Sequence, residues 1–365
     1  MKTRLLVTGC GGPAAIGFTK SLQKTSDYTF VGTDSNINSI PFSPITDKYM
    51  VPKARDPLYI KSISRIINDE KISFLHAQPD PEVFVVSKER EKINALTFLP
   101  KHKTVEICQD KYQSFLEWHK AGLEMPKTFF LHNLKDLERA FSKLPKPFWI
   151  RAITGAGGRG SLIIDDIDKA RVWIDYWKGW GNFMASELLP NRLLTWQSIW
   201  KDGELVCAQS RERLSWAMGN ATASGVSGMT GVGKTISRKD LDTISEKAIL
   251  AIDKNPNGIF GVDLKENANG VPCPTEINIG RFFTTIQFFT ELGFNMPDIY
   301  IKLALGKKIP KIEKKYNPLP TDYYWLRSAD AEPRLMHKND FMKQCKNKID
   351  AEKLLIPDST VKYHV

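Results

Sequence analysis

Short apolar runs alternate with amphipathic stretches over residues 1–105. The run RLLVTG ends at a glycine-rich turn, and the run TFVGTD ends at Asp34. The stretch YIKSISRIINDEK places four isoleucines on one stripe of a helix: Ile60, Ile63, Ile66 and Ile67. Strands that alternate with helices in this way predict an open parallel sheet.

The same pattern divides the rest of the chain into three further units. Residues 106–183 begin with a helix over VEICQDKYQSFLEWHKAG and continue with strands, a glycine loop and the helix DIDKARVWIDYW. Residues 184–310 contain strands, a Gly/Ser/Thr-rich stretch, a long helix, a hairpin and the closing helix MPDIYIKLALG. The prolines of YNPLP mark a boundary, so residues 311–365 are predicted to be a separate basic element.

The hairpin GVDLKENANGVPCPTEIN carries the most informative polar residues. Its two strands are joined by an Asn/Gly turn. Side chains alternate across a strand, so Glu276 and Asn278 point to one face, which Asp263 can reach from the partner strand. Two carboxylates and an amide oxygen form a site that Mg²⁺ prefers, usually with substrate phosphates. The alternative is that these are solvated turn residues.

Three glycine-rich segments bear on nucleotide binding. GCGGPAAIG, residues 9–17, follows a strand and, with Asp34, resembles a dinucleotide-binding turn of imperfect spacing. TGAGGRGS, residues 154–161, lies between two strands and could fold over a triphosphate beside Arg151, or be an ordinary hairpin tip. GMTGVGKT, residues 228–235, matches the Walker A pattern but lacks the required strand before it and the helix straight after it. We predict that this third segment is a flexible substrate loop or linker.

Composition narrows the class of protein. Hydrophobic residues make up 42% of the 365 residues and charged residues 25%, as in ordinary globular proteins. No apolar run approaches the roughly 20 residues of a membrane span, and the N-terminus predicts a strand rather than a signal peptide. The five cysteines are scattered without a CxxC pair, which favours reduced thiols in a cytoplasm over disulfides or zinc.

The net charge of +11 allows several anionic partners. It is densest at KKIPKIEKKY, residues 307–316, where a solvated linker face is one interpretation and a non-catalytic nucleic-acid binder is another. The same field would favour anionic substrates such as ATP.

In their order along the chain, these segments resemble the ATP-grasp superfamily. The resemblance is to carboxylate–amine ligases similar to one half of the carbamoyl-phosphate synthase large chain, and it covers about residues 1–310. The matching segments are RLLVTGCGG, the pair Asp110-Lys111, PFWIRAITGAGGRGS, SELL, the hairpin and ELGFNMPDIYIKLALG. The resemblance implies an α/β protein with the ATP-grasp fold. An open parallel-sheet pre-ATP-grasp domain (1–105) would precede a small lid subdomain (106–183) and a large subdomain (184–310), with 311–365 as an accessory element.

The resemblance also implies roles for individual residues. Asp263, Glu276 and Asn278 match the Mg²⁺ ligands, while Arg281 and Arg151 match catalytic cations. The implied ATP-binding residues are Lys111, Arg151, Gly155, Gly157, Gly158, Gly160, Ser161, Glu187, Leu188 and Leu189. Two departures from the family pattern are visible. The usual EINPR ending is EINIGR here, which displaces Arg281 by one residue, and no acid follows the SELL hinge to hold a ribose.

The implied activity is ATP-dependent joining of a small-molecule carboxylate to an amine through an acylphosphate. The implied cofactors are ATP and Mg²⁺, with two ions bound and Mn²⁺ as a substitute. A membrane or nucleic-acid partner is not expected, and a homodimer is compatible with the resemblance. Arg211 and Arg213 are candidate carboxylate binders, the alternative being surface arginines on a strand edge. An NAD(P)-dependent oxidoreductase, using Gly9 to Gly17 and Asp34, is the competing hypothesis.

Overall fold

Three β-sheets follow one another along the chain in a computed structural model that describes residues 2–328 and 333–342. The first sheet is parallel, and its strands are β1 Thr3–Thr8, β2 Tyr28–Asp34, β3 Asp47–Met50 and β4 Phe74–His76. They lie in the order β3-β2-β1-β4. The helices of this region are α1 Pro13–Gln23, α2 Tyr59–Asp69 and α3 Asp80–Lys88. The predicted open parallel sheet is confirmed.

The isoleucine stripe of α2 faces the core, as its spacing predicts. Ile63, Ile66 and Ile67 are buried, and Ile60 packs against the same cluster from a partly exposed position. Such a stripe stabilises an amphipathic helix mainly through its burial against the sheet.

The helix predicted over VEICQDKYQSFLEWHKAG is in fact two helices, α4 His102–Gln109 and α5 Lys111–Lys120. Asp110 between them has extended backbone angles, and its carboxylate accepts hydrogen bonds from the N–H groups of Tyr112 and Gln113. Asp is a favoured N-cap because its side chain satisfies such orphan donors. The break makes Lys111 the first residue of α5.

The second sheet is antiparallel and forms a small layer of its own. Its strands are β5 Thr128–Leu131, β6 Phe148–Ala152, β7 Leu162–Ile164 and β8 Phe183–Ser186, in the order β5-β8-β6-β7. It is covered by α6 Leu134–Lys143 and α7 Ile167–Tyr176. The segment 154–161 connects β6 to β7, between two strands as predicted.

The third sheet is antiparallel and has seven strands in the described part of the chain. They are β9 Leu193–Lys201, β10 Glu204–Trp216, β11 Thr230–Ile236, β12 Gly258–Glu266, β13 Pro272–Ile279, β14 Tyr323–Leu326 and β15 Arg334–His337. Their order is β13-β12-β9-β10-β11-β14-β15. The remaining helices are α8 Lys239–Ile252, α9 Ile286–Glu291, α10 Met296–Ala304 and α11 Lys338–Met342. None of the described helices is long and apolar enough to cross a membrane.

Two features of this sheet differ from the sequence prediction. The Walker-like segment is not a flexible loop, because residues 230–236 form β11, paired with β10 and β14. Lys234 lies on this strand and pairs with Glu212 at 3.5 Å, while α8 begins at Lys239. In addition, β14 and β15 come from the predicted accessory element yet are hydrogen-bonded into the large sheet. Residues 343–365 of that element lie outside the described residues.

The first region is fixed against the third sheet at several points. The hydroxyl of Tyr28 donates to the carboxylate of Asp298 at 2.7 Å, and Gln78 donates to the Phe282 carbonyl at 3.0 Å. A shared core cluster joins β1 and α1 to α9 and α10. This packing holds the edge of the first region next to the EINIGR segment.

Candidate active site

A cavity of about 290 Å³ lies between the second and third sheets. Arg151 enters it from β6, and Asp263 and Lys265 enter it from β12. The glycine loop 154–161 closes one side, and residues 186–190 line the opposite end. The cavity is therefore enclosed by the segments that the sequence singled out for nucleotide binding.

A second, larger cavity of about 1640 Å³ lies beside the first. Its walls come from the first region, from α4 and from the segment that carries Asn278 and Arg281. Both cavities are lined by Lys111, by Glu276 and by residues 154–157. These shared residues mark the place where the two cavities meet.

The structure brings Asp263, Glu276 and Asn278 to one face of the sheet. Asp263 pairs directly with Glu276 across β12 and β13, and the Asn278 amide donates to Asp263 Oδ2 at 3.2 Å. The hydroxyl of Thr195 on β9 donates to Asp263 Oδ1 at 2.7 Å. Burial opposes ionisation of Asp263, but Arg213 and Thr195 outweigh it and lower the pKa of the carboxyl. Asp263 is therefore held as a carboxylate.

The donor chemistry of these three residues fits a hard cation. Two carboxylates and one amide supply oxygen atoms, which Mg²⁺ prefers. The Asn278 oxygen accepts a hydrogen bond from Arg281 at 2.5 Å, so a cation at this point would share that oxygen with the guanidinium. Nowhere in residues 2–328 and 333–342 do His, Cys, Asp and Glu side chains assemble in groups of three or more that could hold a metal ion, so this site depends on the Asn278 amide as well as its two carboxylates.

Lys111 connects the glycine loop to Glu276. Its ammonium donates to the Gly155 carbonyl at 2.7 Å and lies 3.6 Å from a Glu276 carboxylate oxygen. Its backbone N–H donates to the Ile153 carbonyl at 2.9 Å. Burial lowers the pKa of Lys111, and the charge of Glu276 opposes that shift. The position places a cation at the junction of the two cavities.

Arg151 lies half-buried between the two sheets with part of its donor capacity unused. One terminal nitrogen donates to the Thr275 carbonyl at 2.9 Å, but the buried Nε atom has no hydrogen-bond partner among the described residues. Burial lowers the pKa of the guanidinium, although Glu276 opposes the shift. Buried donors are normally satisfied, so the free Nε suggests an anionic ligand.

The glycine loop lies over the first cavity and contacts the loop between β10 and β11. Gly155, Gly157, Gly158 and Gly160 all have positive φ, a backbone conformation that glycine adopts without strain. A Cβ atom built on Gly158 would lie 2.4 Å from the Val226 carbonyl oxygen. Only glycine therefore permits this approach of the two loops.

Most residues predicted to bind ATP line the first cavity. From the glycine loop these are Gly155, Gly157, Gly158 and Ser161, and from the segment after β8 they are Glu187, Leu188 and Leu189. Gly160 does not line it: a Cβ atom there would meet the Phe183 ring at 3.0 Å, and its carbonyl accepts from the Trp173 indole. The Glu187 N–H donates to the Lys127 carbonyl at 2.9 Å, which fixes the start of this segment.

The chain resembles known proteins in its three-dimensional structure but not detectably in its sequence. No family model and no curated protein matches the sequence. N5-carboxyaminoimidazole synthetase from Staphylococcus aureus complexed with ADP has a TM-score of 0.68 at 15% identity, over 89% of this chain and 83% of that chain. The L-amino acid ligase from Bacillus licheniformis has a TM-score of 0.67 at 13% identity, over 89% and 79%. The chain has the ATP-grasp fold.

A third structure with this fold contains a bound nucleotide and metal. The biotin carboxylase domain of the Hydrogenobacter thermophilus 2-oxoglutarate carboxylase, in complex with MgADP and bicarbonate, has a TM-score of 0.66 at 16% identity, over 89% of this chain and 74% of that chain. The predicted ATP-grasp fold with a preceding parallel sheet is thus confirmed. The specific similarity to the carbamoyl-phosphate synthase large chain stays a prediction.

The first glycine-rich turn is filled by the loop around Ser39. Asp34 accepts hydrogen bonds from the N–H groups of Gly11 at 3.0 Å and Asn36 at 2.9 Å. A Cβ atom on Gly11 would lie 2.0 Å from the Ser39 carbonyl oxygen. Asp34 therefore stabilises the turn rather than facing a ribose, and the geometry gives no support to a dinucleotide site.

The basic segment 307–316 lies along the surface. Lys307 donates to the Thr3 hydroxyl at 2.9 Å in a partly buried contact, and the exposed side chains of Lys311 and Glu313 pair at 3.4 Å. These contacts agree with a solvated face.

Arg211 and Arg213 are not surface residues on a strand edge. They lie on β10, an interior strand, and are 1% and 6% exposed. The Thr230 hydroxyl accepts hydrogen bonds from both, at 2.9 and 3.0 Å, and Arg213 lies 3.4 Å from Asp263. The surface alternative is wrong, because this face of the ATP-grasp sheet is covered by the segment that follows β13.

Lys265 is a residue of the cavity that the sequence analysis missed. It follows Asp263 by two positions on β12 and therefore shares its face, so the alternation rule applied to Glu276 and Asn278 could have found it. Burial lowers the pKa of Lys265 to about 8, and no ion-pair partner is assigned to it among the described residues.

Lys265→Met is expected to be more stable than the wild type at pH 7, because a buried ammonium is removed. The advantage should shrink as the pH rises from about 8 to about 10, where folded Lys265 is neutral while the unfolded chain still binds the proton. Urea unfolding at pH 7 and pH 9.5 measures both effects. Lys103→Met, at a 79% exposed side chain, is the control; a less stable Lys265→Met at pH 7 would contradict the argument.

Proposed function

We propose that this protein is an ATP-dependent ligase that activates a carboxylate as an acylphosphate and joins it to an amine-type nucleophile. The observation that carries the proposal is the junction of the two cavities. Lys111, Glu276 and the glycine loop line both, so a phosphoryl group bound in one is within reach of a substrate in the other. The ligases and the carboxylase domain named above share this fold, and two of those structures hold ADP.

The first cavity is proposed to hold the nucleotide. Its base would lie against Glu187, Leu188 and Leu189, and its phosphates would extend towards Lys111 and Arg151. The free Nε of Arg151 and the glycine-loop backbone are the donors that support this orientation. In the S. aureus structure and in the H. thermophilus domain the bound nucleotide is ADP.

Asp263, Glu276 and Asn278 are proposed to hold Mg²⁺, with two ions bound and Mn²⁺ able to substitute. Such ions would supply positive charge that neutralises the negative charge developing on the phosphates. The chain supplies Asp263 as a preformed carboxylate, because Thr195 and Arg213 favour its ionised form. Glu276 lies at the cavity junction, where the transferred phosphoryl group would pass.

Arg281 is proposed to stabilise the transferring phosphoryl group from the side of the second cavity. It pairs with Asp80 and donates to Asn278, which together fix its orientation. Burial would lower the pKa of Arg281, but the adjacent Asp80 outweighs it and raises the pKa. Cations placed where negative charge develops are worth about 10²–10³ in rate. The one-residue displacement in EINIGR thus leaves the guanidinium beside Asn278.

The proposed reaction has two displacements. A carboxylate oxygen attacks the γ-phosphorus of ATP, and the bond to the β-phosphate oxygen breaks to release ADP. The amine nitrogen then attacks the acyl carbon, loses a proton, and the carbon–oxygen bond to phosphate breaks. The glycine loop excludes water, which would otherwise hydrolyse the acylphosphate.

The proposal includes the domain boundaries that the sequence predicts. We infer a pre-ATP-grasp domain over 1–105, a lid subdomain over 106–183, a large subdomain over 184–310 and an accessory element over 311–365. The four cysteines in the described ranges are buried and free, in keeping with a cytoplasmic protein, and Cys345 lies outside those ranges. We also propose that the protein can form a homodimer, since the similar biotin carboxylase domain from H. thermophilus is described as a dimer.

Thermal unfolding with added ligands separates the proposal from its alternative. Mg-ATP at 100 times its dissociation constant should stabilise the folded state by about 2.7 kcal/mol, since only the folded state binds it. NAD(H) should leave the midpoint unchanged, because Asp34 and the first glycine turn are already occupied by backbone contacts. A screen of carboxylate and amine pairs for ADP release then identifies substrates. Stabilisation by NAD(H) without stabilisation by Mg-ATP would overturn the proposal.

A further inference from the structure

The face of the third sheet that carries the metal-binding trio continues into a cluster of arginines. Arg211 pairs across the strands with Thr195, and Thr195 pairs with Asp263, which in turn faces Glu276. Directly opposed residues share a face of the sheet, so these side chains form one polar row. Strands lie about 4.8 Å apart, which places β10 roughly 10 Å from β12.

The cluster holds more positive than negative charge. Arg211, Arg213 and Arg327 act on one another electrostatically, and Asp263 is the acid that faces them. Asp263 pairs with Arg213 and is proposed to bind Mg²⁺ as well. Arg327 donates to the backbone and hydroxyl of Thr284, and no ion pair is assigned to it or to Arg211 in the part of the chain that the structure describes. Arg211 is 1% exposed, and a buried cation is costly unless an anion pairs with it.

Two buried donors on this face have no hydrogen-bond partner within residues 2–328 and 333–342. They are Nε of Arg211, which is 1% exposed, and Nε2 of Gln197, which is 0% exposed. The orientation of the Gln197 amide is fixed, since its oxygen accepts from the Phe283 N–H at 3.1 Å. Unfilled donors beside uncompensated positive charge are the features of a site that binds an anion.

The nucleotide does not account for this site. Arg213 lines the proposed nucleotide cavity, whereas Arg211 and Gln197 do not. Arg211 lies with its guanidinium carbon 4.4 Å from the Phe283 ring centroid, so the ring covers one face of the guanidinium, while the donors lie in its plane. A planar guanidinium edge matches a planar carboxylate.

We propose that Arg211, Arg327 and Gln197 form a subsite for a second carboxylate, distinct from the one that is phosphorylated. The inference rests on the proposed ligase function and specifies its substrate class. The second carboxylate is either the far end of a dicarboxylate donor or the carboxylate of an amino-acid nucleophile. In the first case the roughly 10 Å between β10 and β12 selects a small dicarboxylate, and in the second it selects a small amino acid beside the donor.

Binding by the full chain tests the subsite independently of turnover. Thermal shift is measured in Mg-ATP with matched pairs that differ by one carboxylate: glutarate against pentanoate, succinate against butyrate, and L-aspartate against L-asparagine. The wild type should bind the doubly acidic member at least about 30-fold more tightly, as expected for a buried charge pair. Equal binding of both members in every pair, together with equal binding of glycine and methylamine in the presence of pentanoate, would overturn the proposal.

The variants Arg211→Met and Arg327→Met test whether these arginines bind a ligand or only support the fold. Both should lose the preference for the doubly acidic probe, and Arg211→Met should raise the melting temperature of the protein without ligand, because an uncompensated buried charge is removed. A structural arginine would lower it instead. Arg171→Met, at a half-exposed arginine on α7, is the matched control and should keep the preference. A lower melting temperature with an unchanged preference would also refute the subsite.

Turnover measurements show whether the second carboxylate belongs to the donor or to the nucleophile. They also test the ligase function separately from the subsite. With hydroxylamine as the nucleophile, faster ADP release from glutarate than from pentanoate places the second carboxylate on the donor. With pentanoate as the donor, faster release with glycine than with methylamine places it on the nucleophile. Preferential binding of double acids without any ADP release would refute the ligase function and leave the subsite standing. ADP release without any preference for doubly acidic probes or for glycine would support the ligase function and refute the subsite.

Discussion

Glu276→Gln is expected to abolish ADP formation while leaving the fold intact. The substitution keeps the size of the side chain but removes the carboxylate that faces Asp263 and lies 3.6 Å from the Lys111 ammonium. Even residues that only orient metal ligands typically contribute 10- to 100-fold to metal affinity or activity, so loss of a ligand should exceed about 100-fold. ADP release under saturating Mg-ATP measures the effect.

The control for this experiment is Glu117→Gln on α5. Glu117 has nearly the same exposed fraction as Glu276, 31% against 32%, and also pairs with a lysine. It lies away from both cavities, so this variant should keep full activity. Wild-type ADP release by Glu276→Gln would remove Glu276 from the metal site.

Arg151→Met is expected to lower kcat/KM by about 10²–10³, the usual effect of removing a positioned cation from a transferring group. Methionine retains much of the apolar stem, so packing between the sheets should survive. Stability should be unchanged or higher, because Arg151 is buried with an unsatisfied Nε. Steady-state ADP release and urea unfolding measure the two quantities.

The stability measurement shows whether Arg151 acts in catalysis or mainly supports the fold. If Arg151 mainly supported the fold through its bond to the Thr275 carbonyl, the variant would unfold at lower urea, and activity would fall only with the folded fraction. Arg171→Met serves again as a control for an arginine outside the site. A variant with normal kcat/KM would exclude Arg151 from phosphoryl transfer.

Local patterns were enough to predict the framework of the site. Alternation along one hairpin brought Glu276 and Asn278 together, and an apolar stripe identified α2. Both rules depend on neighbours within a few residues of one another. The glycine loop was also placed between strands from its immediate flanks.

The residues that sequence reasoning misplaced depend on distant partners. Asp34 turns inward because the loop around Ser39 lies over Gly11, which no local pattern shows. Arg211 is buried because β9 and β11 pair with its strand on both sides and the Phe283 ring covers its guanidinium. Residues 230–236 form a strand despite their glycines because strands pair with them on both sides.

The contact between the two glycine loops has an evolutionary consequence. A Cβ atom on Gly158 would lie 2.4 Å from the Val226 carbonyl oxygen, and one on Gly228 would lie 2.8 Å from the Gly157 Cα, so a side chain at either position would clash with the other loop. A substitution in one loop therefore becomes tolerable only after the opposite loop has changed, and residues that touch tend to vary together. Among descendants of this sequence, residues 154–161 and 226–228 should drift as a single unit although about seventy positions separate them.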